Sequence, residues 1–152
     1  MTVKQQQAVT EAFGFFNEIG IIAQLASNEF ERALPAEMTQ AQFSVLNWFS
    51  RVDTEASPSR LALAFQVTKG AMTNTLKKLE AKGYIEVNPD SSSGRQKIVT
   101  ITTAGQKARN EALKMTAPLM QQFLEQIPLA QVKSQLPLLQ AVRAYLDERR
   151  FR

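Results

Sequence analysis

Apolar and polar residues alternate along this chain with two rhythms, helical and strand-like, and the changes of rhythm mark its elements. Over residues 5–34, Val9, Phe13, Phe16, Gly20, Ala23, Phe30 and Leu34 recur at helical spacing. A second set (Phe15, Ile19, Ile22, Leu25 and Ala26) widens the apolar arc beyond the roughly 100° that a surface helix of a small monomer needs. The excess means either a helix that meets another chain or a central helix buried on all sides. Pro35 ends it, because the residue before a proline is pushed out of helical geometry. Thr39-Gln40-Ala41-Gln42 has capping-box spacing and predicts a helix to about Arg51 that buries Phe43, Leu46 and Phe49. Trp48 lies off that line, in a secondary contact or lining a pocket. Residues 53–56 form a polar loop in this reading.

Ser57-Pro58 is a second helix start, with serine at the cap and proline where its missing N–H costs nothing. Leu61, Ala62, Ala64 and Phe65 give a short apolar helix, and Thr68 caps another a few residues later. Two short helices this close form a helix-turn-helix. At 100° per residue, Met72, Thr75, Leu76 and Leu79 of the second helix face inward. Gly70, Asn74, Lys77 and Ala81 centre the opposite side, flanked by Ala71, Thr73 and Lys78.

Gly83 stops this helix, and Tyr84–Val87 alternates as a strand with Ile85 and Val87 inward. Asn88-Pro89-Asp90 reads as a turn, Ser91 to Gly94 as a polar tip, and Ile98–Ile101 as the returning strand. Thr102 or Thr103 caps a helix to about Gln126 that Pro118 should kink and Pro128 should end. A last helix is expected from near Ser134, with Pro137 in its first turn, to about Arg150. Its stripe is Leu136, Leu139, Val142 and Leu146, and Arg143, Arg149, Arg150 and Arg152 make its end basic.

Composition narrows the chemistry. With 152 residues, 44% of them hydrophobic and 21% charged, the chain suits one globular domain. It has no cysteine and no histidine, which excludes disulfides, Cys/His zinc sites and any Ser-His or Cys-His catalytic pair. No glycine-rich phosphate loop and no metal-ligand spacing appears, so an enzyme is not expected, nor a cofactor. No run approaches a membrane span, and the amino terminus has no apolar signal core, so a cytoplasmic protein is expected. Residues 1–52 hold 3 basic and 5 acidic groups, residues 53–100 hold 7 and 5, and residues 101–152 hold 8 and 4. Positive charge in the last two thirds fits either a polyanionic partner or simple solubility.

The outer face of the helix over 68–81 carries small residues, an amide and lysines. Small residues allow close approach to base edges, asparagine can bond adenine in bidentate fashion, and lysines reach phosphates or guanine. An ordinary solvated face has similar residues, but Gly70 costs about 1 kcal/mol against alanine in a helix. Arg95 and Lys97 beside the hairpin tip suit a minor-groove or phosphate contact, or a solvated turn.

This order of elements resembles the MarR family of bacterial transcription regulators, over nearly the whole chain. The most specific stretch is Leu61 to Ile85, containing V-T-K-G-A-M-T-N-T-L-K-K-L-E-A-K-G-Y-I, followed by the wing and V-T-I-T-T-A-G of Val99 to Gly105. The family's L-E-x-x-G is matched by Leu79, Glu80 and Gly83. Of its wing signature D-R-R, the second arginine falls on Arg95, while Gly94 and Ser93 replace the first arginine and the aspartate. The Asp–Arg brace is therefore missing, and Asp90 is the acid left to substitute.

The resemblance implies a mainly α fold with a small β-hairpin wing: a single chain 1–152 whose residues 5–34 and 103–152 form a helical dimerisation region around a winged helix-turn-helix lobe, 39–102. It implies a homodimer on a pseudo-palindromic operator in double-stranded DNA, acting as a repressor, with Ser59, Thr68, Lys69, Gly70, Thr73, Asn74, Lys77, Lys78, Gly94, Arg95 and Lys97 at the DNA. A small aromatic or anionic effector would release it, in a cleft lined by Phe16, Phe43, Trp48 and Phe49. The alternative is a winged-helix protein-interaction module that has lost sequence-specific DNA binding.

Overall fold

The computed structural model of the chain describes residues 1–150; Arg152 of the basic end lies outside them. The elements run α1 (Val3–Ala33), α2 (Gln40–Arg51), β1 (Glu55–Ala56), α3 (Pro58–Phe65), α4 (Lys69–Ala81), β2 (Ile85–Pro89), β3 (Lys97–Ile101), α5 (Thr103–Gln126) and α6 (Leu129–Arg149). The fold is mainly α with a small antiparallel sheet, as expected. It divides into two compact units, Met1–Thr116 and Ala117–Arg152.

In the first unit, α1 opens on a capping box absent from the sequence reading: the Thr2 hydroxyl accepts from Gln5 N, and the Gln5 side chain accepts from Thr2 N. It ends as expected, with Leu34 extended ahead of Pro35. Among the described residues, none within α1 is buried. Thr39 caps α2 by accepting from Gln42 N at 3.2 Å, but the return half of the predicted box does not form. The Gln42 side chain is buried and accepts instead from Lys82 Nζ at 2.7 Å, a charged donor brought from α4.

Leu46 and Phe49 enter the core with Val45, and Phe43 packs half-buried against it. Trp48 also turns inward, only 5% exposed, edge-to-face with Phe49 at 5.3 Å. The Arg60 guanidinium covers its ring at 5.0 Å and donates to Asp53 at 2.7 Å, tying α3 to the loop after α2. On α5, Arg109 donates from Nε and Nη2 to the Asn47 side-chain oxygen of α2 at 3.1 and 2.9 Å.

The expected polar loop 53–56 ends in a strand. Glu55 and Ala56 pair with Thr100 and Val99, giving a sheet in the order β1-β3-β2. Asn88-Pro89 is a second correction: both belong to β2, opposite Ile98 and Lys97, and the turn spans 90–96. Since β2 is an edge strand, a proline there leaves no inner ladder bond unmade. Ile85 and Val99 are buried in the core, with Val87 packed against it.

Ser57 caps α3 and Pro58 takes its first turn; Leu61 and Ala62 are buried, whereas Ala64 is exposed. Thr68 caps α4, which buries Met72, Leu76 and Leu79 as its periodicity predicts. Thr102, rather than Thr103, caps α5. Its hydroxyl accepts from Gly105 N at 3.0 Å and donates to Gly83 O at 2.6 Å. Gly105 is required there, because a Cβ would lie 2.1 Å from the Tyr84 carbonyl oxygen. Helical geometry continues through Pro118 to Gln126.

In the second unit, α6 begins at Leu129 rather than near Ser134, so Pro137 falls inside it and not in its first turn. Pro128 supplies the start, its carbonyl accepting from Gln131 N and Val132 N. Among the described residues none within α6 is buried; Leu129, Leu136, Leu138, Leu139, Tyr145 and Leu146 are all exposed.

Candidate nucleic-acid interface

The surface of α4 is set by its buried side. With Met72, Leu76 and Leu79 held in the core, Lys69, Gly70, Ala71, Thr73, Asn74, Lys77, Lys78 and Ala81 are all exposed. A Cβ on Gly70 would meet only the Thr68 hydroxyl oxygen, at 4.0 Å. Nothing in the chain itself therefore demands glycine there. The residue leaves a low surface at the helix start that an outside group can approach. Thr68 is exposed, with its hydroxyl accepting from Ala71 N at 3.1 Å.

The start of α3, the first half of α4 and the wing base converge on a groove of about 310 Å³. It is lined by Ser57, Pro58, Ser59, Lys69, Thr73, Arg95, Gln96 and Lys97. Five residues singled out from sequence (Ser59, Lys69, Thr73, Arg95 and Lys97) are thus neighbours although far apart in the chain. Asn74, Lys77 and Lys78 continue along α4 outside the groove, and Gly94 is exposed at the wing tip.

Three cations and no carboxylate line the groove. Among the described residues, no ion pair or side-chain hydrogen bond engages Lys69, Lys77, Lys78, Arg95 or Lys97. Unpaired cations beside serine and threonine hydroxyls are suited to phosphate oxygens, and the amide of Asn74 further along is suited to a base edge.

Asp90 does not replace the missing wing brace. Its carboxylate accepts from the Ser92 backbone N–H at 3.0 Å and the Ser92 hydroxyl at 2.9 Å. It therefore shapes the turn and leaves Arg95 without an acidic partner. Asp53 belongs to a different structure: the Arg60 hydrogen bond, followed by that from Thr54 N, holds its carboxyl below the usual value. Ser57, Pro58 and Gln96 of the groove were not assigned to DNA from sequence. Ser57 and Pro58 were read only as a helix start, and Gln96 signals nothing beyond adjacency to Arg95.

The four aromatic residues assigned to an effector cleft occupy unlike surroundings. Trp48 and Phe49 belong to the core, and Phe43 packs against it. Phe16 is exposed and lines a shallow groove with Gly20, Ile21 and Leu25 of its own helix. Among the described residues, no group of three carboxylates could hold a metal ion, and no helix is long and apolar enough to cross a membrane.

Comparison with known proteins covers the segment that carries this surface. The model of the MarR family matches residues 36–96, which include α2, the helix-turn-helix and most of the wing. The chain is 33% identical to the multiple antibiotic resistance protein MarR of Escherichia coli (strain K12) over 98 residues, 59% of this chain and 67% of that protein. The crystal structure of the transcriptional regulator BldR from Sulfolobus solfataricus superposes with a TM-score of 0.77 at 27% identity, covering 92% of this chain and 97% of that one. A mutant E. coli MarR complexed with operator DNA gives 0.74 at 25% identity, covering 87% and 95%. With the helix-turn-helix, the wing and the sequence match in agreement, this chain belongs to the MarR family and is a transcriptional regulator, not an enzyme.

Proposed function

We propose that the chain binds a pseudo-palindromic operator in duplex DNA as a cytoplasmic homodimer and represses transcription there. The observation that carries this reading is the groove in which Lys69, Arg95 and Lys97 gather unpaired beside Ser59 and Thr73, continuous with the exposed face of α4. In the proposed complex α4 lies in the major groove, with Gly70, Thr73 and Asn74 toward base edges and Lys77 and Lys78 toward phosphates. The wing, through Gly94, Arg95 and Lys97, meets the flanking backbone.

Dimerisation is supported by what this chain leaves exposed. Along α1, Val9, Phe13, Phe16, Ile21, Ile22 and Leu25 are solvent-facing. In α6, Leu129, Leu136, Leu138, Leu139, Tyr145 and Leu146 are exposed as well. We assign 5–34 and 103–152 to pairing with a second copy and 39–102 to the DNA-binding lobe. Two α4 helices would then enter major grooves about one turn, roughly 34 Å, apart. A small aromatic or anionic effector that releases DNA is the family-based part of the proposal. Phe16 is open to such a ligand, whereas Trp48 and Phe49 would first have to leave the core.

Fluorescence anisotropy with DNA flanking the protein's own gene tests this reading. Affinity falls steeply with salt as phosphate contacts release counterions. Arg95→Ala weakens all sequences nearly alike and lowers the salt slope by about 1. Asn74→Ala relaxes preference at one base pair by about 1–3 kcal/mol. Weak wild-type binding that ignores sequence would instead favour a protein-interaction module.

A further inference from the structure

The end of α4 is closed by backbone and by side chain, and the two closures do different work. Tyr84 N donates to Leu79 O at 3.0 Å and Gly83 N to Glu80 O at 2.9 Å, with Gly83 left-handed at φ +74°. This Schellman arrangement stops the helix but does not fix where its end lies. The side chain of the cap residue, Lys82, does that. Its ammonium donates to the Glu37 carbonyl and, at 2.7 Å, to Oε1 of Gln42.

Both acceptors are prepared for it. Gln42 is 4% exposed, so its amide oxygen depends on a protein partner. Glu37, at φ +69°, is the third residue of the turn closed by Met38 N donating to Pro35 O at 3.1 Å, and this turn presents its carbonyl. Lys82 thus differs from Lys77 and Lys78, which are exposed and unpaired on the same helix. The segment it grips, Pro35 to Gln42, is the turn that leaves α1 and the first residues of α2.

We propose that Lys82 is a positioning residue: it locks the C-terminal end of the recognition helix to the turn leaving α1, so that a displacement of that turn is carried into α4. The assignment of α4 as the recognition helix rests on the function proposed above; the mechanical link does not. A charge-assisted bond to a buried acceptor is strong enough to make the two segments open together.

Hydrogen exchange followed by mass spectrometry on the full chain tests the link without DNA. Lys82→Met keeps the stem and removes the ammonium. It is expected to speed exchange about tenfold in both 35–42 and 76–84, with Lys82→Arg restoring much of the protection. Gln42→Met, which removes one acceptor, gives a smaller rise in the same two segments and serves if Lys82→Met does not fold. Faster exchange in one segment alone, or in neither, overturns the proposal. In anisotropy, Lys82→Met should weaken operator binding about fivefold or more with the salt slope unchanged. A slope lowered by about 1 would make Lys82 a phosphate contact instead. A lower melting temperature with unchanged affinity would make it only a stabilising residue. If the wild type does not discriminate its operator, the DNA reading fails alone, and exchange still decides Lys82.

Discussion

The winged-helix lobe and the helices α1 and α6 use apolar residues in opposite ways. The lobe folds Leu46, Leu61, Leu79, Ile85 and Val99 into one core and turns Lys69, Lys77, Lys78, Arg95 and Lys97 outward. Helices α1 and α6 are as rich in Phe, Ile and Leu, yet among the described residues bury none of theirs. The lobe is thus complete within one chain, and its free chemistry is cationic. What α1 and α6 leave free is apolar, and contiguous exposed apolar surface marks an interaction site. One chain therefore offers two kinds of unsatisfied surface, one matched to a polyanion and the other to a second hydrophobic face.

The strongest way to break this contrast is to charge α1. Phe13→Asp with Ile22→Asp should leave the helical circular-dichroism signal intact, because neither side chain is buried in the chain, and convert a dimer to a monomer by sedimentation. Operator affinity should fall by about 10²–10⁴, the gain that joining two weak half-site contacts supplies. A monomeric wild type, or unchanged affinity in the variant, would end the assignment of α1 to pairing.

Within the lobe the corresponding break is steric. Gly105→Ala forces a methyl to 2.1 Å from the Tyr84 carbonyl oxygen, and the obstacle is backbone. Relief requires moving α5 from the α4–β2 junction, so a loss of about 1–3 kcal/mol by urea unfolding is expected. Thr102→Val at the same junction keeps the shape and removes the hydroxyl that bonds both Gly83 O and Gly105 N. Its cost should be smaller, about 1 kcal/mol, and a variant as stable as wild type would show that the junction rests on packing alone.

The same division explains how much could be read from sequence. Helix starts were legible where a cap and an apolar period sit together, as at Ser57-Pro58 and Thr68, because both signals are local. Two residues, Glu55 and Ala56, are too few to show a period, and their strand exists only because β3 offers an edge. Asn88-Pro89 carries a genuine turn signal that an edge strand overrides. Gln42 had a local capping role available, but Lys82, 40 residues away, offered its side chain a charged donor. The residues proposed to face DNA were singled out as a helix face and a charge pattern. That Ser59, Lys69 and Arg95 meet in one groove was not legible, since the packing of α3, α4 and the wing brings them together.

The mildest test asks whether the lobe's paired charges matter as its unpaired ones are proposed to. Asp53 is the lobe acid with a clear ion-pair partner: Arg60 donates to it at 2.7 Å while lying over Trp48. That hydrogen bond is the main cause holding the Asp53 carboxyl below its ordinary value of 3.8. A carboxyl depressed by folding contributes stability above the unfolded value and loses it as pH falls through the folded one. Wild type should therefore melt slightly above Asp53→Asn at neutral pH, and the gap should close below pH 3.8. Because the pair is exposed to water and salt, the gap at neutral pH should also shrink as ionic strength rises. Operator affinity should stay unchanged at neutral pH, since Asp53 and Arg60 do not line the cationic groove. A loss of affinity with little change in melting would place the Asp53–Arg60 pair within the DNA-binding surface after all, and would blur the separation between the lobe's structural charges and those it leaves free.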